Sequence, residues 1–467
     1  MTTRIQPPWA ADRHGAPPSP AASPPPPLPR LSPAVPPAVP PAVAPAVTTA
    51  VTTAVTTAVA TAVTTAVTTA VAPASPLPSS LYSPPNPCYS QPAAGSRFAH
   101  TSHVIVRSLM TSIERMTETL DRKPVDLTPI AVSPWAVTIE RWRKEGHIGE
   151  SEDVAEHFGQ DMRSGGWLNS DADLDFEPVV LEETEETILT LDRNGAKLRR
   201  HKLHDSTPEH VDFTVKDRAG WEELIKPHLL DYDARRIPFD NYRDSKALAA
   251  DKQRYFTWAG CGPFEQMHPV CGHEYCLIGM ALDPDWVKDM VMTFADLTIM
   301  HLEELFSRLG RPDGLFFYED MGFKHRPFMS PAMYEDIVMP GHKRLFDYAH
   351  SCGCKVLVHS CGYVEPLVPG LIEAGMDCLQ AMEVKAGMDL PTLYRRFGDR
   401  IAFFGGVDVR TLISNDRALI DAEMDAKILP VVQGGGGYIL HTDHSEPPEI
   451  DYETMKYFVE RGRTLGR

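Results

Sequence analysis

Long apolar runs are missing from the 467 residues: none approaches the roughly 18 consecutive apolar residues of a membrane span. The first fifteen residues, MTTRIQPPWAADRHG, lack the apolar stretch of an export signal. Positive charge is also short. The 45 Lys and Arg stand against 63 Asp and Glu, giving a formal net charge of -18. That balance argues against nucleic acid or an anionic membrane as a partner. Cysteine is sparse, with 8 in the chain, and no spacing among them suggests a disulfide framework. No G-x-G-x-x-G turn follows an early strand, and QGGGGYIL precedes a strand, so a dinucleotide cradle is not expected. These absences leave a cytoplasmic protein with reduced thiols, acting on a small molecule.

What is present falls into two parts. Residues 1–105 form a low-complexity extension rich in Pro, Ala, Val and Thr, in which PPPPLPRLSPAVPPAVPPAV passes into the repeat AVTTAVTTAVATAVTTAV. Proline at that density cannot support a helix or a sheet ladder, and the repeat lacks charge and aromatics, so disorder is expected there. Met110 opens MTSIERMTETLDRKPVD, which reads as a natural beginning. Residues 106–467 carry alternating strand and helix patterns. The strand candidates are VDLTPIAV, LFFYEDM (315–321), KVLVHSC (355–361), DCLQAME (377–383), IAFFGGVD (401–408) and GYILHTDH (437–444). Helical patterns such as SPAMYEDIVMPGHKRLFDYAHSCG and EPLVPGLIEAG lie between them. Continuous apolar strands separated by helices predict a parallel sheet covered on both faces. The stretch 181–217 breaks this alternation and predicts an early β-rich insertion, with a hairpin turn at Arg193-Asn194-Gly195.

Each later strand ends in polar or titratable residues: Glu319 and Asp320, His359 and Cys361, Glu383, Asp408, and then His441, Asp443 and His444. In a (β/α)8 TIM barrel all strand C-termini surround one mouth that holds the active site, so this α/β fold is the expectation. His359 and Cys361 are two apart on a strand and point the same way. An imidazole and a thiolate aimed at one spot make half of a zinc site, which His444 would complete as a third ligand, with His441 and Asp443 as alternatives. His444 could equally contact substrate. Glu319, Asp320, Glu383 and Asp408 are candidate acid/base or positioning groups, although Asp408 also suits the cap of the helix after it. The cluster CGPFEQMHPVCGHEYC, with Cys261, His268, Cys271, His273 and Cys276, has no C-x2-C pair and reads as a loop and helix start with buried thiols. Cys352 and Cys354 read as packing residues around a helix C-cap.

Several blocks together resemble the uroporphyrinogen decarboxylase superfamily, which includes corrinoid-dependent (methylcobamide) methyltransferases. GLFFYEDMGFKHRPFMSPAMYEDIVMPGHKRL resembles the family's acidic strand end followed by a Ser-Pro helix start, FFGGVD its glycine-glycine-acid strand, and GGYILHTDHSEPPEIDYE its closing strand. The arginine-rich segment that decarboxylases carry after the first strand is replaced here by VSPWAVTIERWRKEGH. The methyltransferase branch carries H-x-C where this chain has His359 and Cys361, with a later cysteine where this chain has His444. The resemblance therefore implies a zinc-dependent methyltransferase moving a methyl group between a small substrate and a corrinoid carried by a separate protein. Pairing among relatives implies a homodimer. Trp135, Trp142, Phe256 and Tyr318 near the mouth point to a methoxylated aromatic. A metal-independent decarboxylase of a porphyrinogen-like or aromatic carboxylate is the alternative, with Arg326 and Arg410 as its candidate anchors. A non-catalytic partner of a corrinoid protein is the third reading.

Overall fold

The structure is a computed structural model that describes residues 109–203 and 208–466. The extension expected over residues 1–105 and the beginning of the 106–467 domain lie outside the described residues. The strands in chain order are β1 (Met162–Ser164), β2 (Val179–Glu183), β3 (Thr187–Leu191), β4 (Ala196–His201), β5 (Glu209–Phe213), β6 (Tyr255–Cys261) and β7 (Gly314–Tyr318). They continue with β8 (Gly322–Phe323), β9 (Arg326–Pro327), β10 (Lys355–Ser360), β11 (Cys378–Ala381), β12 (Ala402–Gly405) and β13 (Tyr438–Ile439). Seven of them form one curled parallel sheet in the order β1-β6-β7-β10-β11-β12-β13. The expected early strand VDLTPIAV is reduced to a single parallel bridge, Ile130 to Leu440. Both edges of the sheet nevertheless bond to this segment. Leu440 N donates to Pro129 O at 2.8 Å, and Asp161 N, just before β1, donates to Ile130 O at 2.8 Å.

Alternation along each strand sorts the side chains. Trp258, Phe317, Val358, Phe403 and Leu440 face outward into the large core against the helices. Ala259, Phe316, Leu357, Phe404 and Ile439 face inward and fill the hollow of the sheet, together with Met116 and Leu120. The last two come from the helix Ser112–Leu120, which closes the N-terminal end of the hollow. Thr111 and Glu114 form its capping box. Arg115 on the same helix pairs with Asp126 at 2.8 Å and with the buried Asp161, whose second oxygen accepts from Ile130 N at 2.9 Å. This carboxylate thus ties the plugging helix to the two segments that meet there.

The β-rich insertion is a four-stranded antiparallel sheet in the order β2-β3-β4-β5. Its predicted turn is present: Asp192 accepts from Asn194 N and Ala196 N, and Gly195 takes φ +75°. Phe213 at the end of this sheet packs against Gly272, where the helix Pro263–Leu282 is kinked. A Cβ at Gly272 would collide with the Phe213 ring, and the backbone there has φ +66°. The cysteine-rich stretch is therefore helix rather than loop, with Cys271 and Cys276 buried in it. The predicted helix 330–353 is broken into Pro331–Met333, a π turn over Tyr334–Val338, and Met339–Ser351. Pro340 has no N–H for a ladder bond, which accounts for the break. The strands β1 and β6 have no counterpart among the sequence candidates. In the RYFTWAGCG stretch, aromatic residues are mixed with small ones, a weaker signal than the apolar runs of the later strands.

Candidate active site

At the C-terminal ends of the sheet, the inward parity that begins with Ala131, Ala259, Phe316, Leu357 and Ile439 continues into a polar layer. Two residues further along each strand come Ser133, Cys261, Tyr318, His359 and His441. His359 and Cys361 do converge. Among the described residues, one group of potential metal-ligand atoms lies within 4.8 Å of one another, and it comprises Asp320, His359 and Cys361. His359 Nε2 is 3.1 Å from Cys361 Sγ and 3.4 Å from Asp320 Oδ1. The other ring nitrogen, Nδ1, bonds to Gln380 Oε1, which accepts the proton and leaves the Nε2 lone pair facing the group. Burial, with the Asp320 and Glu383 carboxylates adding to it, pushes the Cys361 thiol well up. A thiolate there needs a positive partner.

The donor set, an imidazole, a thiol and a carboxylate within 4.8 Å of one another, is of the kind that zinc takes. Tetrahedral coordination with ordinary bond lengths places N and S roughly 3.6 Å apart and N and O roughly 3.4 Å apart. Two backbone contacts hold the group together. Cys361 N donates to Asp320 Oδ1 at 2.9 Å, and Gly362 N donates to Glu383 Oε2 at 2.7 Å. Gly322 and Gly362 meet back to back: a Cβ on Gly362, at φ +76°, would run into the Gly322 backbone. That approach, continued by Tyr363 N donating to Phe323 O at 2.9 Å, brings the loop after β7 onto the loop after β10.

The remaining expected residues take other places. His444, expected as the third metal ligand, is outside the group, and Asp320 stands there instead. It is half-buried, and burial together with the nearby Lys385 lowers its pKa. Glu319 has the opposite parity to Tyr318 and so faces the helices. Fully buried, its carboxylate accepts from Phe264 N at 3.1 Å and Glu265 N at 2.8 Å at the start of the helix Pro263–Leu282, and bonds His342 Nε2 at 2.7 Å. That is an anchoring role at a helix N-terminus rather than one at the mouth. Asp408 caps the helix Val409–Ile413 by accepting from Arg410 N, and it pairs with the Arg410 guanidinium. Glu383 holds the Gly362 backbone and pairs with Lys385 at 3.1 Å. Asp443 accepts from Val384 N and Val409 N, and burial pushes it up to about 6. Of the aromatic candidates, Tyr318 lies 5.5 Å from the His359 ring, centroid to centroid. Trp142 and Phe256 belong to the outer core. Trp135 is half-buried, with its indole N–H buried and unbonded among the described residues.

A second constellation joins the first and last parts of the sheet. Ser133 Oγ is 2.8 Å from His441 Nε2 and 3.3 Å from Ser445 Oγ. His441 Nδ1 lies 2.6 Å from Thr442 O. A carbonyl only accepts, so Nδ1 carries the proton and Nε2 accepts from the Ser133 hydroxyl. Burial holds His441 down at about 4, in keeping with a neutral ring. Glu446, fully buried, accepts from Ser133 N at 3.0 Å, and Thr442 Oγ1 is 2.9 Å from its other oxygen. Burial pushes Glu446 up to about 7. Sequence reasoning did not single out Ser133, Gln380 or Glu446. Parity counted from the aliphatic strand residues would have found the first two.

No curated protein matches the chain significantly. Among solved structures it is similar to the 3-keto-D-glucoside 4-epimerase of E. coli, with 11% identity, TM-score 0.29, and coverage of 48% of this chain and 82% of that one. It is also similar to the D-psicose 3-epimerase of Clostridium cellulolyticum H10, with 10% identity, TM-score 0.30, and 48% and 82% coverage. No helix among the described residues is long and apolar enough to cross a membrane. Residues 258–465, from inside β6 to the last helix, match the model of the family described as uroporphyrinogen decarboxylase (URO-D).

Proposed function

We propose that the chain is a zinc-dependent methyltransferase that moves a methyl group between a small substrate and a corrinoid carried by a separate protein. The observation that carries this reading is the convergence of His359, Cys361 and Asp320 at ligand spacing on one side of the mouth. Bound there, zinc would supply Lewis acidity, lowering the pKa of an acceptor thiol or polarising a methyl-ether oxygen. His359 and Cys361 would hold it, with Asp320 rather than His444 as the third ligand. Gln380 fixes the His359 tautomer, and Glu383 fixes the Cys361–Gly362 backbone. Phe316, Phe404 and Tyr318 form an apolar floor that keeps water from beneath the reacting groups. The bonds from both sheet edges to residues 129–131 support a (β/α)8 barrel in which that segment is the eighth strand. The decarboxylase reading gains little support from its two arginines, since Arg326 is exposed and Arg410 is engaged by Asp408.

The test is metal content. The full chain, prepared without chelators, is expected to hold close to one zinc per polypeptide, falling sharply in Cys361→Ala and Asp320→Ala and little in His444→Ala. A parent protein that takes up no zinc, even on reconstitution, removes the methyl-transfer reading and brings the decarboxylase forward.

A further inference from the structure

We infer that the buried relay Glu319–His342–Tyr334 positions Asp320 for the metal group, by locking the end of β7 on its outer side so that the Asp320 carboxylate meets the ion on the inner side. The inference rests on the reading of Asp320, His359 and Cys361 as a zinc centre. The three relay members are positioning residues, since they face the helices rather than the mouth. Three observations carry it. First, the side chains are fully buried and joined in one line. His342 Nε2 lies 2.7 Å from Glu319 Oε1, and His342 Nδ1 lies 2.9 Å from the Tyr334 hydroxyl. A carboxylate only accepts, so Nε2 carries a proton, and Nδ1 accepts from the Tyr334 O–H, which burial keeps protonated. Taking a carboxylate out of water is unfavourable, and a strand end that needed only packing would be served as well by an apolar side chain.

Second, the relay ties three other segments to this one strand end. Phe264 N and Glu265 N reach Glu319 from the start of the helix Pro263–Leu282, His342 lies in the helix Met339–Ser351, and Tyr334 opens the π turn before it. Gly262 leaves the carboxylate its room, since a Cβ there would collide with it. The His342 ring lies flat against Phe346 at 5.3 Å, and Phe346 packs in turn on Phe317 of β7. Third, Asp320 follows Glu319 directly and points to the opposite face. Its neighbours are pinned to β10, with Glu319 N donating to His359 O at 2.8 Å and Met321 N to Ser360 Oγ at 3.0 Å. Its own side chain is 41% exposed and accepts from Cys361 N at 2.9 Å. Releasing Glu319 from the relay would let the strand end turn and carry Asp320 away from Cys361, because neighbours on a strand turn as one backbone.

Zinc affinity of the full chain, read by competition with a chromogenic chelator, tests the inference in two backgrounds. His342→Leu removes the donor to Glu319 and should lower zinc affinity about tenfold. His342→Gln, whose amide nitrogen stands where Nε2 does, should stay within about twofold of the parent. Tyr334→Phe, a milder change that keeps the ring packing, should fall between the two. In Asp320→Ala, where the ligand is already gone, adding His342→Leu should cause no further fall. Cobalt(II) in place of zinc gives a second readout, because its visible bands report the ligand set: those of His342→Leu should move toward those of Asp320→Ala. Unchanged affinity in His342→Leu would overturn the inference. So would an equal fall in both backgrounds, since general damage to the fold does not depend on Asp320. Failure of the zinc reading looks different: a parent that takes up no zinc removes the centre itself, and with it the role that the relay would serve.

Discussion

Glu446 offers a perturbation whose size follows from the structure. The carboxyl is fully buried, and its pKa is raised from 4.5 to about 7 because burial disfavours the charged form. The folded state therefore binds a proton more tightly than the unfolded chain. Its contribution to stability is full below about pH 4.5 and is lost as pH rises through about 7, because ∂ΔG/∂pH is negative wherever the folded state carries more protons. At roughly 1.4 kcal/mol for each tenfold change in proton affinity, the rise from 4.5 to about 7 is worth about 3 to 4 kcal/mol from end to end. Glu446→Gln mimics the protonated acid. Its amide oxygen can accept from Ser133 N, and its NH2 can donate to Thr442 Oγ1. The variant should match the parent near pH 4.5 and exceed it by about 3 kcal/mol at pH 8, which for a folded domain of roughly 350 residues is about 4 °C in Tm. Differential scanning fluorimetry from pH 4.5 to 8.5 reads this directly. Asp443, raised to about 6 by the same cause, would leave a residual slope in both proteins. Parallel profiles for parent and variant would refute the assignment of a buried, proton-holding carboxyl at this position.

Two further outcomes test the metal group. Gly362→Ala places a Cβ against the Gly322 backbone at φ +76° and should push the two loops apart. It should cost about 1–3 kcal/mol of stability and lower zinc affinity at least tenfold, as thermal melts and competition with a chromogenic chelator would show; unchanged zinc affinity would mean that the glycine contact does not seat Asp320. Zinc affinity itself should rise about tenfold per pH unit between pH 6 and 8, because the elevated Cys361 thiol must release its proton on binding. A flat profile would place the ion away from Cys361.

Much of the fold was readable from the chain. The apolar strands β7, β10 and β12 stand where the LFF, VLV and AFF runs place them, because parallel strands covered on both faces need no polar alternation. The strand β1 escaped notice because its three residues, Met162–Ser164, are too few to show any period. The site was read less well, for a reason of parity. Strand-end polarity does not by itself tell which face a residue is on: Tyr318 and Glu319 are adjacent and point to opposite faces. One faces the inside of the sheet, and the other anchors a helix start. His359 and Cys361 were legible because an i, i+2 pair shares a face. Glu446 was not, since its bond to Ser133 N joins residues 313 apart in sequence, and no local pattern reports it.

The join between residues 129–131 and Leu440 also sets an order in which the protein can be made. Asp320 and Cys361 are separated by 41 residues, so their half of the mouth can form as soon as the middle of the chain has left the ribosome. Ser133 and His441 are 308 residues apart. At ~5–20 residues per second, ribosomal synthesis takes roughly 15–60 s to span that interval. Throughout that time the free side of the growing sheet presents unpaired N–H and C=O groups, the kind of surface on which neighbouring nascent chains associate. Polysomes crowded with this messenger would therefore be the setting in which its misassembly is most frequent, and slow codons late in the message would lengthen the exposure.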